Sequence, residues 1–453
     1  MAITINQEPT SPNMGNSNLV FSVGSTQYSS PQFQFVLDIY ESGSATRIQR
    51  IKQQPNPSGG GFFDLGNIIP TQLESDEVWT RSAPFSLASN SNKDFVIKFG
   101  EEYGTSTSSS VTLYDGKGGA GEPDKTGSAF YTITDGLANP NDLVDWNFAS
   151  SSYYNAISAS SADTYDYQNT LSSFPTTQKI QDGEYHTIGL YNGNVDNSSV
   201  YAQDIFFVQV SVYNSAGSNI QNISFYNTTA NNGGPRTSEA DFWGDAGVYD
   251  AQTNGTRLLY IGVGPQNLDD SGNTLNTAWD YYTVDVLGQG DDGLENGSGV
   301  FASLRFDKDT ANCGYPGKRF AWKNEFGVWD YFTFKLAEGT TSGVERNEFE
   351  QSFVDYSSTV ASMPYDKQRR GKSQYYNKID KQHTVESDYL TQEYADSLRE
   401  LFFSTNVYVQ EGTTFIPVVF TNASITEKTN PRSQKLFRFT ANYGYANSDR
   451  PRR

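Results

Sequence analysis

Alternation of apolar and polar residues most constrains what this chain can fold into. Phe33, Phe35, Leu37 and Ile39 would share one face of an extended strand, and residues 204–213 form a second, longer alternating run. This period of two is typical of a half-buried β-strand. The same pattern predicts further strands at residues 95–99, 220–226, 257–263, 281–287 and 300–306. Helical periods are nearly absent, which favours a sandwich or barrel over an alternating α/β plan.

The composition agrees with a β-rich chain. Aromatic residues reach 14%, with 29 Tyr and 29 Phe against only 3 Met. Aromatic side chains fit the pleated, half-buried surface of a sheet. The 40 Gly and the abundant Asn, Ser and Thr favour turns. We therefore predict a mainly β fold of β-sandwich or barrel domains, with a loop-rich insertion and a C-terminal β-module flanked by one helix.

Stretches poor in branched aliphatic residues divide the chain. Residues 1–18 hold few apolar side chains and two prolines, which predicts an extended N-terminal arm that orders on a neighbour or stays disordered. Residues 100–203 contain low-complexity Gly and Ser tracts, which are typical of a loop-rich insertion. We predict that this insertion interrupts one β-sandwich built from residues 19–99 and 204–310. Residues 321–453 would form the C-terminal module.

One segment of the C-terminal module has a helical period. Residues 391–403 are predicted to form a helix, with Thr391 as its N-cap and Glu393 in its positive first turn. The apolar residues that share one face of this helix are Tyr394, Leu398, Leu401 and Phe402. We expect this face to pack across a sheet formed by residues 406–410, 414–421 and 436–445.

The charge is unevenly distributed. The chain carries a net charge of -20, but residues 361–453 hold 14 Lys and Arg against 10 Asp and Glu, so the net charge is +4 there and -24 before them. A strongly acidic surface disfavours binding to nucleic acid or membranes. We predict that the basic residues dock on an acidic neighbour, although a solvated loop and a frayed terminus would look the same. The candidate interface residues are Arg369, Arg370, Lys372, Arg450, Arg452 and Arg453.

No arrangement of residues predicts a reaction. Gly-x-Ser-x-Gly, Walker and His-Glu-x-x-His patterns are absent, and the single Cys313 and the separated His186 and His383 do not indicate a zinc site. Acidic pairs arise freely among 52 acidic residues. Residues 291–297 are acidic but depart from EF-hand spacing. We therefore predict no catalytic residue, cofactor or metal.

Clustered aromatic residues are the candidates for a binding surface. They are Trp243, Trp279, Tyr281 and Tyr282. Such residues stack on sugars, and they serve equally well as buried anchors at a subunit interface. Both interpretations remain open at this point.

Segments at both ends of the chain resemble a known class of protein. The C-terminal segments are Ala321–Leu336, Val344–Phe349, Glu386–Phe403, Asn406–Gln410, Ile416–Asn422, Lys435–Thr440 and Tyr445–Asn447. The N-terminal segments are Pro9–Met14, Pro31–Val36 and Arg47–Pro57. In this order they resemble large virion proteins of tailed bacteriophages, especially phages of marine and Bacteroidetes-type hosts. Roughly the middle third of the chain is outside the resemblance.

The resemblance implies a non-enzymatic structural protein of the tail, collar or baseplate region. Its partners would be other virion proteins and copies of itself, in a homo-oligomer expected to be a ring. Met1–Glu8 has no secretory signal pattern, and no window approaches the roughly 20 apolar residues of a membrane span, so we expect synthesis in a host cytoplasm and release by lysis. The alternatives are a receptor- or glycan-binding tail module and a polysaccharide depolymerase.

Overall fold

A computed structural model shows a mainly β protein, as predicted. The chain divides into two compact units, Met1–Thr310 with Lys323–Asp330 and Ala311–Trp322 with Tyr331–Arg453. The residues that the structure describes are 3–9, 13–77, 79, 84–104, 112–115, 131–136, 170–192, 205–227, 257–288, 299–310, 317–350, 371–421 and 437–447.

The first unit contains two pairs of sheets. In the first pair, a three-stranded sheet has the order β1-β3-β6, and a larger sheet has the order β2-β10-β8-β4-β5, with β9 also paired to β8. These strands are β1 (Ile3–Gln7), β2 (Asn13–Met14), β3 (Val20–Ser25), β4 (Gln34–Glu41), β5 (Arg47–Gln53), β6 (Gly60–Asp64), β8 (Asn92–Glu102), β9 (Thr112–Asp115) and β10 (Tyr131–Thr134). A short 3₁₀ helix spans Ile69–Gln72.

The two sheets of this pair enclose one apolar core. Phe21 of β3 packs against Phe99 of β8 and Tyr131 of β10, at ring-centroid distances of 5.4 and 5.2 Å. Each aromatic ring buried in this way contributes about 1.5–3 kcal/mol of transfer free energy. The side chains therefore hold the two sheets face to face as a β-sandwich.

The second pair of sheets has the same plan. A five-stranded sheet has the order β11-β17-β16-β13-β14, and a three-stranded sheet has the order β12-β15-β7. The strands are β7 (Phe85–Leu87), β11 (Thr177–Ile180), β12 (Thr187–Asn192), β13 (Ile205–Tyr213), β14 (Asn219–Tyr226), β15 (Arg257–Gly262), β16 (Tyr281–Gly288) and β17 (Gly299–Lys308). A short helix, α1 (Pro265–Asp270), follows β15.

Alternation along β13 shows why this second sandwich forms. Val208, Val210 and Val212 are fully buried, whereas Gln209 between them is only half-buried. The valines meet Leu259 and Ile261 of the facing sheet in one continuous core. Burial of alternate residues is what a two-layered sheet requires, so the period of two specifies which face turns inward.

The domain organisation differs from the prediction of one interrupted sandwich. The first unit contains two apolar cores, and residues from the predicted insertion supply β9, β10, β11 and β12. β11 lies parallel to β17, which follows it by more than a hundred residues. A local pattern cannot reveal such pairing, because it reports the faces of one strand and not its neighbour.

The predicted N-terminal arm also differs from the structure. Residues 3–7 and 13–14 form β1 and β2, which pair with β3 and β10 of the same chain. Ile3 is buried in the first core, which explains why this segment orders within its own chain rather than on a neighbour.

The second unit is built on a seven-stranded sheet. Its order is β19-β18-β22-β23-β24-β21-β20. The strands are β18 (Lys318–Lys323), β19 (Trp329–Phe334), β20 (Ala337–Glu350), β21 (Lys372–Glu386), β22 (Val407–Glu411), β23 (Thr414–Phe420) and β24 (Thr440–Tyr445).

The predicted helix is confirmed as α2 (Gln392–Phe403). Leu398 and Leu401 are fully buried, and the Phe402 ring lies 5.5 Å from the Phe420 ring of β23. Thr391 occupies the N-cap position with an extended backbone, but its side chain makes no capping hydrogen bond. The apolar face of α2 therefore carries the packing.

Candidate functional site

The most unusual feature of the second unit is a long two-stranded segment. β20 has 14 residues and β21 has 15, and they pair from Ala337 opposite Glu386 to Glu350 opposite Lys372, with one register shift between Asn347 and Glu348. Only residues 383–386 of β21 also pair with β24. We call residues 339–350 and 371–382 the ribbon. At about 3.3 Å per residue, twelve residues of strand extend over roughly 40 Å.

Both faces of the ribbon's first strand lie in solvent, whereas its second strand contains both exposed and half-buried residues. Every residue from 339 to 350 is exposed, so neither face of β20 covers a core within the described part of the chain. An isolated two-stranded hairpin is at best marginally stable in water. The ribbon therefore has the backbone of a sheet without the packing that normally stabilises one.

Cross-strand pairs supply the ribbon's internal contacts. Val344 lies opposite Ile379, and Glu345 lies opposite Lys378. The Lys372 ammonium lies 3.5 Å from the Glu350 carboxylate, but both side chains are largely exposed. Pairs of this kind contribute roughly 0.2–1 kcal/mol each.

Three large apolar side chains are exposed on the ribbon. Val344, Phe349 and Tyr375 are 48%, 45% and 56% exposed, and the rings of Phe349 and Tyr375 lie 6.1 Å apart. Tyr375 is the extra residue of a β-bulge, since Asn347 lies opposite Tyr376 and Glu348 lies opposite Gln374. A bulge redirects a side chain, and aromatic residues exposed in this way are typical of protein-binding surfaces.

The two strands of the ribbon carry opposite charge. Residues 339–350 contain three glutamates and one arginine, and residues 371–382 contain three lysines and one aspartate. The ribbon is therefore neutral overall, although the whole chain carries -20.

A cluster of polar and aromatic side chains lies at the base of the ribbon. The His383 ring is stacked on the Tyr443 ring at 5.2 Å and meets the edge of the Tyr445 ring at 5.1 Å. His383 Nδ1 lies 3.1 Å from Thr340 Oγ1 on the facing strand. These contacts hold the base of the ribbon against β24, the described strand that pairs with β21 over residues 383–386.

Lys318, Glu411 and Tyr445 form a hydrogen-bonded group beside His383. Lys318 Nζ and the Tyr445 hydroxyl donate to Glu411 Oε1 at 2.8 and 2.9 Å. Burial opposes ionisation of Glu411, but the hydrogen bonds from Lys318 and Tyr445 outweigh it and hold the pKa of Glu411 below its usual value. Burial also opposes the charge on Lys318, yet Glu411 raises the pKa of Lys318.

The surroundings of His383 favour its neutral form. Burial lowers the pKa of His383 below its ordinary value. Its Nε2 is buried and has no hydrogen-bond partner among the described residues, so a proton added there would have no acceptor. The base of the ribbon is therefore built around an uncharged imidazole.

Of the predicted interface residues, only Lys372 lies in the described part of the chain. It is the first residue of β21, and its side chain is 67% exposed. The other five predicted residues, Arg369, Arg370, Arg450, Arg452 and Arg453, lie outside the described residues.

Two residues of the predicted aromatic surface, Trp279 and Tyr282, lie in a hydrophobic core. Trp279 is 4% exposed and donates its indole N–H to Asp182 at 2.9 Å, and Tyr282 is fully buried and donates its hydroxyl to Val263 O at 3.0 Å. Trp243 lies outside the described residues. Trp279 and Tyr282 are therefore structural, because their rings fill the core of the second sandwich.

Among the three residues of this group that the structure describes, only Tyr281 reaches the outer face of its sheet. Its ring is stacked on Tyr213 at 4.7 Å, and the Arg305 guanidinium lies 3.8 Å from its centroid. Tyr213 and Arg305 come from the two strands that flank β16, so they cover opposite faces of the ring. No free ring face is left for a sugar to stack on.

Sequence reasoning missed the ribbon as a site. The residues around 345–356 and 371–385 are compatible with strands, but the sequence does not indicate how exposed these strands are. The sequence feature that could have revealed this exposure is the lack of an apolar face. Residues 339–350 contain only two large apolar residues, Val344 and Phe349, and these fall on opposite faces of a strand.

Comparison with known proteins adds no identity. No family model matches the chain, and no curated protein matches it either. The helices in the described ranges include none that is long and apolar enough to span a membrane. Within the same ranges, no group of three or more His, Cys, Asp or Glu side chains is placed to hold a metal ion.

Proposed function

We propose that this chain is a non-enzymatic structural component of a tailed-phage particle. It assembles in the tail, collar or baseplate region through copies of itself and through other virion proteins. It is made in the host cytoplasm and leaves with the particle on lysis. It uses no cofactor.

The ribbon is the observation that carries this proposal. A strand of twelve consecutive exposed residues has no core of its own chain behind it in the described structure. Exposed strand edges pair readily with other chains. Pairing with a neighbouring chain during assembly would satisfy the backbone groups on this long exposed edge.

The resemblance at both ends of the chain supports the proposal that the chain belongs to a tailed-phage particle. The segment Val344–Phe349, one of those that resemble tailed-phage virion proteins, lies within the ribbon. The resemblance and the proposed assembly surface therefore coincide in this part of the chain.

The buried carboxylates of the first unit support a structural role. Asp38 is fully buried and accepts hydrogen bonds from Arg50 at 2.7 and 2.6 Å. Asp76 accepts hydrogen bonds from the backbone and side chains of Asn90 and Ser91. Both carboxylates hold strands or turns together through these bonds, so their role is structural. The covered ring of Tyr281 weakens the glycan-binding alternative.

The proposal is tested on purified particles of the phage that encodes the chain. We expect peptides from both units to be found by mass spectrometry in particles that have been banded and washed at high salt. Immunogold labelling with an antibody against the chain should place it on the tail, collar or baseplate. If the chain is abundant in the lysate but missing from the particles, the proposed function is wrong.

A further inference from the structure

We propose that the ribbon joins copies of this chain by strand addition. The outer edge of β20 in one copy pairs with the outer edge of β21 in the next. This inference rests on the proposed self-assembly. It identifies the two strand edges that make the contact and the head-to-tail direction of that contact.

Both edges of the ribbon are available for such pairing. β20 is the terminal strand of the seven-stranded sheet, and its one partner among the described strands is β21. Over residues 372–380, β21 in turn pairs only with β20 in the described structure. Alternate backbone N–H and C=O groups on both outer edges therefore point toward solvent, where another strand can satisfy them.

Charge makes the two edges complementary to each other. The β20 side of the ribbon has a net excess of two acidic residues, and the β21 side has a net excess of two basic residues. Two β20 edges would repel each other, and so would two β21 edges. Only the unlike edges attract, so the contact has a direction.

Continuing the same register across the contact would extend the pairs already present. Glu345 of a second copy would lie on the far side of Lys378, and Glu350 of that copy would lie beside Lys372. Val344 would lie beside Ile379 and bury part of its exposed surface. Opposite charges and branched apolar residues directly across from each other both stabilise a sheet.

A second copy is the partner that the charges favour. The chain carries -20, so most of its surface repels another copy. The ribbon is neutral and can approach a like chain without that repulsion. Because each copy donates one edge and accepts the other, the contact is head-to-tail and closes into a ring when the rotation between copies allows it.

The experiment reverses one charge on each edge. Glu345→Lys and Lys378→Glu are made singly, mixed with each other, and combined in one chain. Self-association is measured by sedimentation velocity over a concentration series, with circular dichroism and thermal unfolding as checks of folding. Glu41→Lys and Lys93→Glu, which reverse a partly exposed ion pair of the first unit, serve as controls.

We expect each single ribbon variant to associate on the order of tenfold more weakly than the wild-type chain. The equimolar mixture and the double variant should regain association, because each restores unlike charges across the contact. The Glu41 and Lys93 variants should associate as the wild type does.

Two results would overturn the inference. One is a wild-type chain that stays monomeric at its highest soluble concentration. The other is association that is unchanged in both single variants, or that the mixture and the double variant fail to restore. Neither result bears on whether the chain is present in particles, so the ribbon contact can fail while the proposed function stands.

Discussion

β13 and β20 are both long strands, yet they are stabilised in opposite ways. The valines of β13 are fully buried between two sheets, whereas residues 339–350 of β20 are exposed on both faces. In each strand, backbone N–H and C=O groups form hydrogen bonds with a neighbouring strand. Only β13 also gains the burial of apolar surface, which is the dominant favourable contribution to folding. Strand structure and core packing are thus separable, and the ribbon has the first without the second.

The sharpest test of this contrast is to truncate an aromatic residue in the packed region. Phe306 of β17 is fully buried, with its ring 5.2 Å from Tyr282 and 4.9 Å from His186. We expect Phe306→Ala to lower the free energy of unfolding of the first unit by about 3–5 kcal/mol, because the lost contacts leave a cavity. Urea denaturation followed by Trp fluorescence measures this. A change below about 1 kcal/mol would mean that the second sandwich is not tightly packed.

A second test lies within the unit that contains the ribbon. Leu398 and Leu401 of α2 are fully buried. We expect Leu398→Ala or Leu401→Ala to cost roughly 2–5 kcal/mol. Arg399→Ala changes the intervening, partly exposed face of the same helix and should cost much less. Thermal unfolding of the three variants decides the matter, and wild-type melting of both leucine variants would contradict the packing role of α2.

The base of the ribbon should weaken in mild acid. His383 has a folded-state pKa below its unfolded value, so the unfolded chain binds more protons and stability falls as the pH drops through about 6.5. The charged groups around the ring are Glu338, Lys318, Glu411 and Lys381. The pKa of Glu411 is also lowered. Its contribution to folding stability is therefore lost at lower pH, as the pH falls toward the ordinary carboxyl pKa of 4.5.

Hydrogen exchange of β21 amides at about pH 7 and about pH 5.5, corrected for intrinsic rates, measures this effect. We expect protection near residues 383–386 to fall in the wild-type chain and to change less in His383→Gln. Equal loss of protection in both chains would assign the effect to another group.

The smallest effect should come from the ribbon itself. Phe349→Ala makes the same chemical change as Phe306→Ala, but its side chain is already 45% exposed. We expect the free energy of unfolding of the isolated chain, measured by urea denaturation, to change by no more than about 0.5 kcal/mol, as for other exposed substitutions. A loss comparable to that of Phe306→Ala would break the comparison, because it would show that the ribbon is packed.

Several local features of this fold could be predicted from the sequence. The runs at residues 33–40 and 204–213 are strands, and residues 392–403 are a helix with Leu398 and Leu401 on its buried face. In each case the period of the apolar residues specifies one buried face. The aromatic residues were harder to assign, because Trp279 and Tyr282 would suit a binding surface as well as the core that contains them.

The amino-acid sequence by itself determined the β character of the chain, the faces of its strongest strands, and the helix. Only the tertiary structure decided which strands share a core, that β9, β10, β11 and β12 belong to the sheets of the first unit, and that residues 339–350 of β20 have no core behind them among the described residues. The physical reason is that alternation is a property of one strand. The partner across a sheet, or its absence, is set by contacts between residues far apart in the chain.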